Sequence, residues 1–190
     1  MKRIFIAVRI EPDESLLAMI SSFRQALKSD SVIWTDPANI HITILFLGGT
    51  PEKRVKEIGA FLQELCSGFG EFELVIRGSG VFKSSKDPRV LWAGIETSEK
   101  MNKLNKIISE KLQETVTGLE ERSFKPHLTL GRVKKINDLT KLTTLLVNYQ
   151  GREIQRVKVS DIILYESILL PEGPLYKPLG KYPLISLFPS

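Results

Sequence analysis

The feature that most constrains this chain is a duplication. A β run, an amphipathic helix pattern and a second β run that opens on histidine occur around residues 3–47. The same succession returns around residues 90–133. Each copy has an apolar face to bury, and two such units satisfy one another by sharing a core. At 190 residues the chain is long enough for one domain, or for two small lobes on a common sheet. The expected fold is α+β. A single domain over residues 1–190 would consist of two pseudo-symmetric lobes of antiparallel sheet, with helices on the outer faces and a groove between.

The local pattern fills in this plan. Residues 3–10 read as a first strand, and Leu16, Ile20, Phe23 and Leu27 recur at helical spacing after Pro12-Asp13, a helix start. Residues 32–34 are a short extended piece. Residues 40–47 read as a strand stopped by Gly48-Gly49. Thr50-Pro51 then reads as the cap and first position of a helix with Val55, Ile58, Leu62 and Leu65 on its apolar face. Residues 72–76, 80–82 and 90–95 read as three strands, with an exposed loop at 84–88. Met101, Leu104, Ile108 and Leu112 predict a third helix, and Leu139, Leu142 and Leu146 a fourth. Residues 127–133, 154–159 and 162–167 are further strands. The tail is rich in Pro and Gly but carries Leu175, Tyr176, Leu179, Leu184, Ile185 and Leu187, so it should pack on the body.

Composition narrows the class. The net charge of +5 favours a polyanionic partner. The single cysteine, Cys66, excludes an internal disulfide and a cysteine zinc site, and its apolar helical setting makes it core. No apolar run approaches the roughly 18 residues of a membrane span. The opening apolar stretch ends at Arg9 and Glu11, so it reads as a strand and not a signal peptide. A cytoplasmic monomer with no membrane partner is the expectation.

The two histidines are the only ones present, and they have matching surroundings: His41-Ile42-Thr43-Ile44 and His127-Leu128-Thr129-Leu130. Side chains alternate along a strand, so each histidine shares a face with the threonine two places on, while the aliphatic residues anchor the other face. Across a shared groove, two such pairs suit an in-line displacement at phosphorus. One imidazole takes a proton from attacking water and the other gives one to the leaving oxygen. Histidine suits both tasks because its ordinary pKa lies near neutrality. Threonine hydroxyls would hold the non-bridging oxygens. A metal site is disfavoured, because no His-x-x-x-His, His-x-His or Cys pair accompanies these residues. No cofactor is expected.

These blocks resemble the two-histidine (2H) phosphoesterase superfamily, and within it the bacterial and archaeal RNA 2′,3′-cyclic phosphodiesterases, also called 2′-5′ RNA ligases. The resemblance extends through residues 3–8, 39–48, 89–92, 124–132 and 164–167. It implies hydrolysis of RNA 2′,3′-cyclic phosphate ends, or of cyclic nucleotides, to a 2′-phosphate without metal. It implies further that His41 is the proton donor, that His127 is the proton acceptor, and that Thr43 and Thr129 bind phosphate. Reversible 2′-5′ ligation in the same site, or non-catalytic binding of RNA ends, are the alternatives.

Alternation puts Arg132 on the leucine face unless the strand ends or bulges after Gly131. It is a possible substrate contact. Leu45 departs from the polar or basic residue common among relatives. Phe46, Trp34 and Trp92 read as core, and Lys125 and Arg89 as surface charges.

Overall fold

A computed structural model describes residues 1–84, 86–96, 98–113, 124–171 and 173–186. Among these residues, nine strands and four helices follow in the order β1 (Lys2–Arg9), α1 (Glu14–Ala26), β2 (Ser31–Trp34), β3 (His41–Thr50), α2 (Glu52–Cys66), β4 (Phe72–Lys83), β5 (Pro88–Ile95), α3 (Glu99–Gln113), β6 (His127–Lys135), α4 (Leu139–Tyr149), β7 (Glu153–Val159), β8 (Asp161–Leu170) and β9 (Gly173–Pro183). A 3₁₀ turn, Pro37–Asn39, leads into β3.

The strands form one antiparallel sheet in the order β7-β4-β5-β6-β3-β1-β8-β9, with β2 also paired to β6. The order is symmetric about its centre. The histidine strands β6 and β3 lie innermost, and their β5 and β1 partners flank them. A single bridge, Ile42 opposite Leu128, joins the halves, so they diverge on either side of it and a groove opens. The α+β, two-lobed expectation holds in this form.

One face of the sheet packs on the helices. Ile4, Ile6 and Val8, together with Ile42, Ile44, Leu128 and Leu130, share a core with Leu16, Met19, Ile20 and Phe23 of α1 and with Met101, Leu104 and Ile108 of α3. The opposite face of β1 carries a smaller cluster, in which Phe5 and Ala7 pack with Ile163 and Tyr165. β1 is thus covered on both sides, which explains why its sequence is a continuous apolar run instead of an alternation.

Asp13 caps α1 by accepting from the Leu16 amide at 2.9 Å, as Pro12-Asp13 foretold. Cys66 is buried, and burial pushes its thiol up to about 12. Among the described residues no helix is long and apolar enough to cross a membrane.

Four readings need correction. β3 does not stop at Gly48-Gly49 but runs to Thr50. Thr50 therefore caps nothing; its hydroxyl donates to the Gly48 carbonyl at 3.3 Å, and Pro51 takes the cap position. The strands read at 72–76 and 80–82 are one strand, β4. Gly78 interrupts it at φ +72°, where the pairing with β5 shifts register. The tail is largely a strand, β9, paired to β8 along its length. Leu184 of the tail is buried, whereas Leu175 and Ile185 are exposed. Leu187 lies outside the described residues, as does Ser85 of the 84–88 loop.

Candidate active site

Both H-x-T-x segments occupy the face of the sheet away from the helices. Ile42, Ile44, Leu128 and Leu130 are core, while His41, Thr43, His127 and Thr129 are half-buried on the other side. Counting outwards from the Ile42–Leu128 bridge, antiparallel geometry sets His41 toward Thr129 and His127 toward Thr43. The two pairs meet across the junction.

Each imidazole is fixed in the same way. His41 Nδ1 lies 2.7 Å from the Asn39 carbonyl, and His127 Nδ1 lies 2.7 Å from the Lys125 carbonyl. A carbonyl can only accept, so Nδ1 carries the proton in both rings and Nε2 is left as the atom that can exchange one. Aromatic rings brace them. Phe5 and Tyr176 sit 5.1 and 5.2 Å from His41, and Phe82 meets His127 edge-on at 4.6 Å.

Burial pulls the pKa of both rings below the ordinary histidine value, against the opposing effect of the carbonyl bonds. Repulsion adds to this: His41 feels His127 and Arg132, and His127 feels Arg132. The two imidazoles and the guanidinium therefore lie within electrostatic reach of one another.

Arg132 reaches the groove face through a β-bulge. Leu91 pairs with Gly131 and Trp92 with Thr129, which leaves Leu130 unmatched and reverses the alternation beyond it. The Arg132 guanidinium makes no ion pair or hydrogen bond with a described residue, although its backbone pairs with Val90 and Ile33.

β3 repeats the device. Ile6 pairs with Leu45 and Ala7 with Thr43, leaving Ile44 unmatched. This overturns the reading of Phe46 as core. It is 44% exposed, stacks against Phe5 at 6.3 Å and has the Arg3 guanidinium 5.0 Å from its centroid. Strict alternation concealed it. The glycines shortly after each motif were the only hint in the sequence.

The carbonyl of each bulge residue is satisfied from the other half. Asn105 Nδ2 of α3 donates to Ile44 O at 2.8 Å, and the Thr35 amide, just after β2, donates to Leu130 O at 2.9 Å. Sequence reasoning missed Asn105, which shares a helical turn with core residues and carries no motif.

The remaining candidates separate cleanly. Trp34 is partly buried against the main core. Trp92 is half-buried but on the groove side, opposite Thr129, with its indole across Gly80; a Cβ there would come within 2.1 Å of Cζ2. Arg89 is tied to Asp87 at 3.2 Å, and Lys125 is exposed. Among the described residues no group of three His, Cys, Asp or Glu is placed to hold a metal ion.

A duplicated sheet with paired H-x-T-x strands facing one groove defines a two-histidine phosphoesterase, and this chain belongs to the LigT-like phosphoesterase family, whose pattern matches residues 8–92 and 95–176. It is 34% identical to an RNA 2′,3′-cyclic phosphodiesterase of Methanothermobacter thermautotrophicus over 96% of this chain and 98% of that protein. It is 33% identical to the like-named protein of Archaeoglobus fulgidus over 95% and 99%. The crystal structure of TT0787 from Thermus thermophilus superposes with TM-score 0.78 at 25% identity, over 98% of this chain and 100% of that one. E. coli LigT complexed with 3′-AMP shares the fold, with TM-score 0.75 at 19% identity over 96% and 98%.

Proposed function

We propose that this protein hydrolyses 2′,3′-cyclic phosphate ends of RNA to 2′-phosphates by proton transfer between two histidines. Water attacks phosphorus from the His127 side and gives its proton to Nε2 of that ring. The P–O3′ bond breaks on the opposite side, and His41 Nε2 supplies the proton to the departing O3′. The site is returned to its starting state when a proton passes back from His127 to His41 through solvent. Thr43 and Thr129 donate to the non-bridging oxygens, and Arg132 balances their charge. Because the groove is built from both halves, the chain works as one domain.

The observation that carries this reading is the matched pair of Nδ1–carbonyl bonds, which fixes one tautomer in both rings and leaves both Nε2 atoms without a partner among the described residues. A histidine kept only for packing has no need of that match. The names of the relatives agree with the substrate class. Proton transfer of this kind contributes about 10²–10⁴-fold per group.

Incubation with each 2′,3′-cyclic nucleotide in the presence of a chelator, followed by phosphorus NMR, tests it. The expected product is the 2′-phosphate at undiminished rate. Intact substrate, or turnover lost to the chelator, overturns the proposal.

A further inference from the structure

Beyond His41, on the side away from His127, the face turns polar again. The strand order runs β6, β3, β1, and Arg9 of β1 is the direct partner of His41. Arg9, Asn39, His41, Tyr165, Tyr176 and Pro178 enclose a cleft of about 100 Å³. That is several times the roughly 10–15 Å³ a single water needs on this measure. Arg9 is exposed, and its guanidinium makes no ion pair or hydrogen bond with a described residue. The carboxylate that acts on neighbouring Tyr165, Asp161, is already paired with Lys181 at 3.1 Å. Tyr165 and Tyr176 bring phenols whose pKa burial raises, so they remain donors at neutral pH. A cleft with one free guanidinium and neutral donors suits a single phosphate group.

We propose that this cleft holds the phosphodiester on the 5′ side of the terminal nucleotide, so that the enzyme recognises one phosphate beyond the one it opens. The assignment rests on His41 being the acid. In an in-line reaction the leaving O3′ lies on the acid's side of phosphorus, and the ribose that carries it lies there too. The 5′ carbon of that ribose then leads away from His127, across β3 toward β1. Adjacent strands are about 4.8 Å apart, so Arg9 stands one strand further along this path.

Adenosine 3′-monophosphate and adenosine 3′,5′-bisphosphate differ only by a 5′-phosphomonoester, which stands in for that phosphodiester, and calorimetric titration of each reads binding without turnover. The wild type should bind the bisphosphate roughly tenfold more tightly, the scale of one charge-assisted contact. Arg9→Gln should bring the ratio of the two affinities close to one, with Arg9→Lys in between. A wild-type ratio of one overturns the subsite, and so does a ratio that survives in Arg9→Gln. Hydrolysis of adenosine 2′,3′-cyclic phosphate, with and without a 5′-phosphate, is scored separately. Loss of all turnover with the affinity ratio intact counts against the catalytic reading and not against the cleft.

Discussion

Five residues after His41 the groove receives Phe46; five residues after His127 it receives Arg132. The two halves use the same strand, the same tautomer-fixing bond and the same bulge, yet one delivers an aromatic surface and the other a charge. Among the described residues His41 also contacts two rings, Phe5 and Tyr176, which touch each other, whereas His127 meets one. A symmetric frame has thus been given unlike contents at equivalent places. In the reading proposed above, with His41 the acid and His127 the base, this asymmetry is where the two like rings would acquire unlike roles.

The largest effects should come from the histidines themselves. His41→Ala and His127→Ala are each expected to lower kcat by about 10²–10⁴-fold. An RNA analogue with an acidic leaving group separates them. It should restore much of the rate to His41→Ala and little to His127→Ala, and equal restoration would erase the polarity assigned to the two halves.

Next come the threonines. Thr43→Val and Thr129→Val should each reduce kcat by up to about 10²-fold while altering KM less, as for loss of one donor to a charged transition state. Steady-state kinetics on a cyclic nucleotide measures both. A penalty confined to KM would make the hydroxyls simple binding groups.

The pH profile carries a sign that can be checked. Burial and Arg132 disfavour the charged imidazoles, so both transitions of kcat/KM in the free enzyme should fall below the ordinary histidine value. A bound anion opposes that bias, and the kcat profile should lie at higher pH. Arg132→Gln removes a positive neighbour from both rings and should move the kcat/KM profile upward; a downward move would contradict the geometry. Stability follows the same linkage. The unfolded chain binds protons more readily than the folded one below the unfolded histidine value. Stability therefore decreases as pH falls from there toward the folded values, and is level above it. Thermal melts across that range test this.

The smallest effect concerns the bulge. Asn105→Ala strips the Ile44 carbonyl of its donor and should cost about 1–3 kcal/mol of stability. If Asn105 also sets the register, kcat/KM on a cyclic nucleotide should fall as well, while a mutation elsewhere on α3 of equal stability cost should leave it unchanged.

Much of this was legible in the chain. The duplicated pattern and the H-x-T-x pairs are local signals, and local alternation correctly placed their four polar side chains. What was hidden depends on pairing. Phe46 changes face because Ile44 is unmatched across the ladder, just as Arg132 does beyond Leu130, where the sequence already allows for a bulge near Gly131; a bulge is a relation between two strands that neither sequence declares on its own. β9 was hidden for another reason. Pro174, Pro178 and Pro183 argue against a strand, but β9 lies at the edge of the sheet, where a missing amide donor is tolerated. Gly78 likewise reads as a break and acts as a bend.

The crossed donors, Asn105 to Ile44 and Thr35 to Leu130, mean that neither half keeps its working shape by itself. A fragment bearing one motif could form its strands and helix, but its backbone would lack the outside partner that keeps the kink in place. Relaxation to plain alternation would then carry Phe46 or Arg132 to the wrong side. Cutting the chain in two should therefore remove activity until the pieces associate, and each piece should become competent only as it clasps the other.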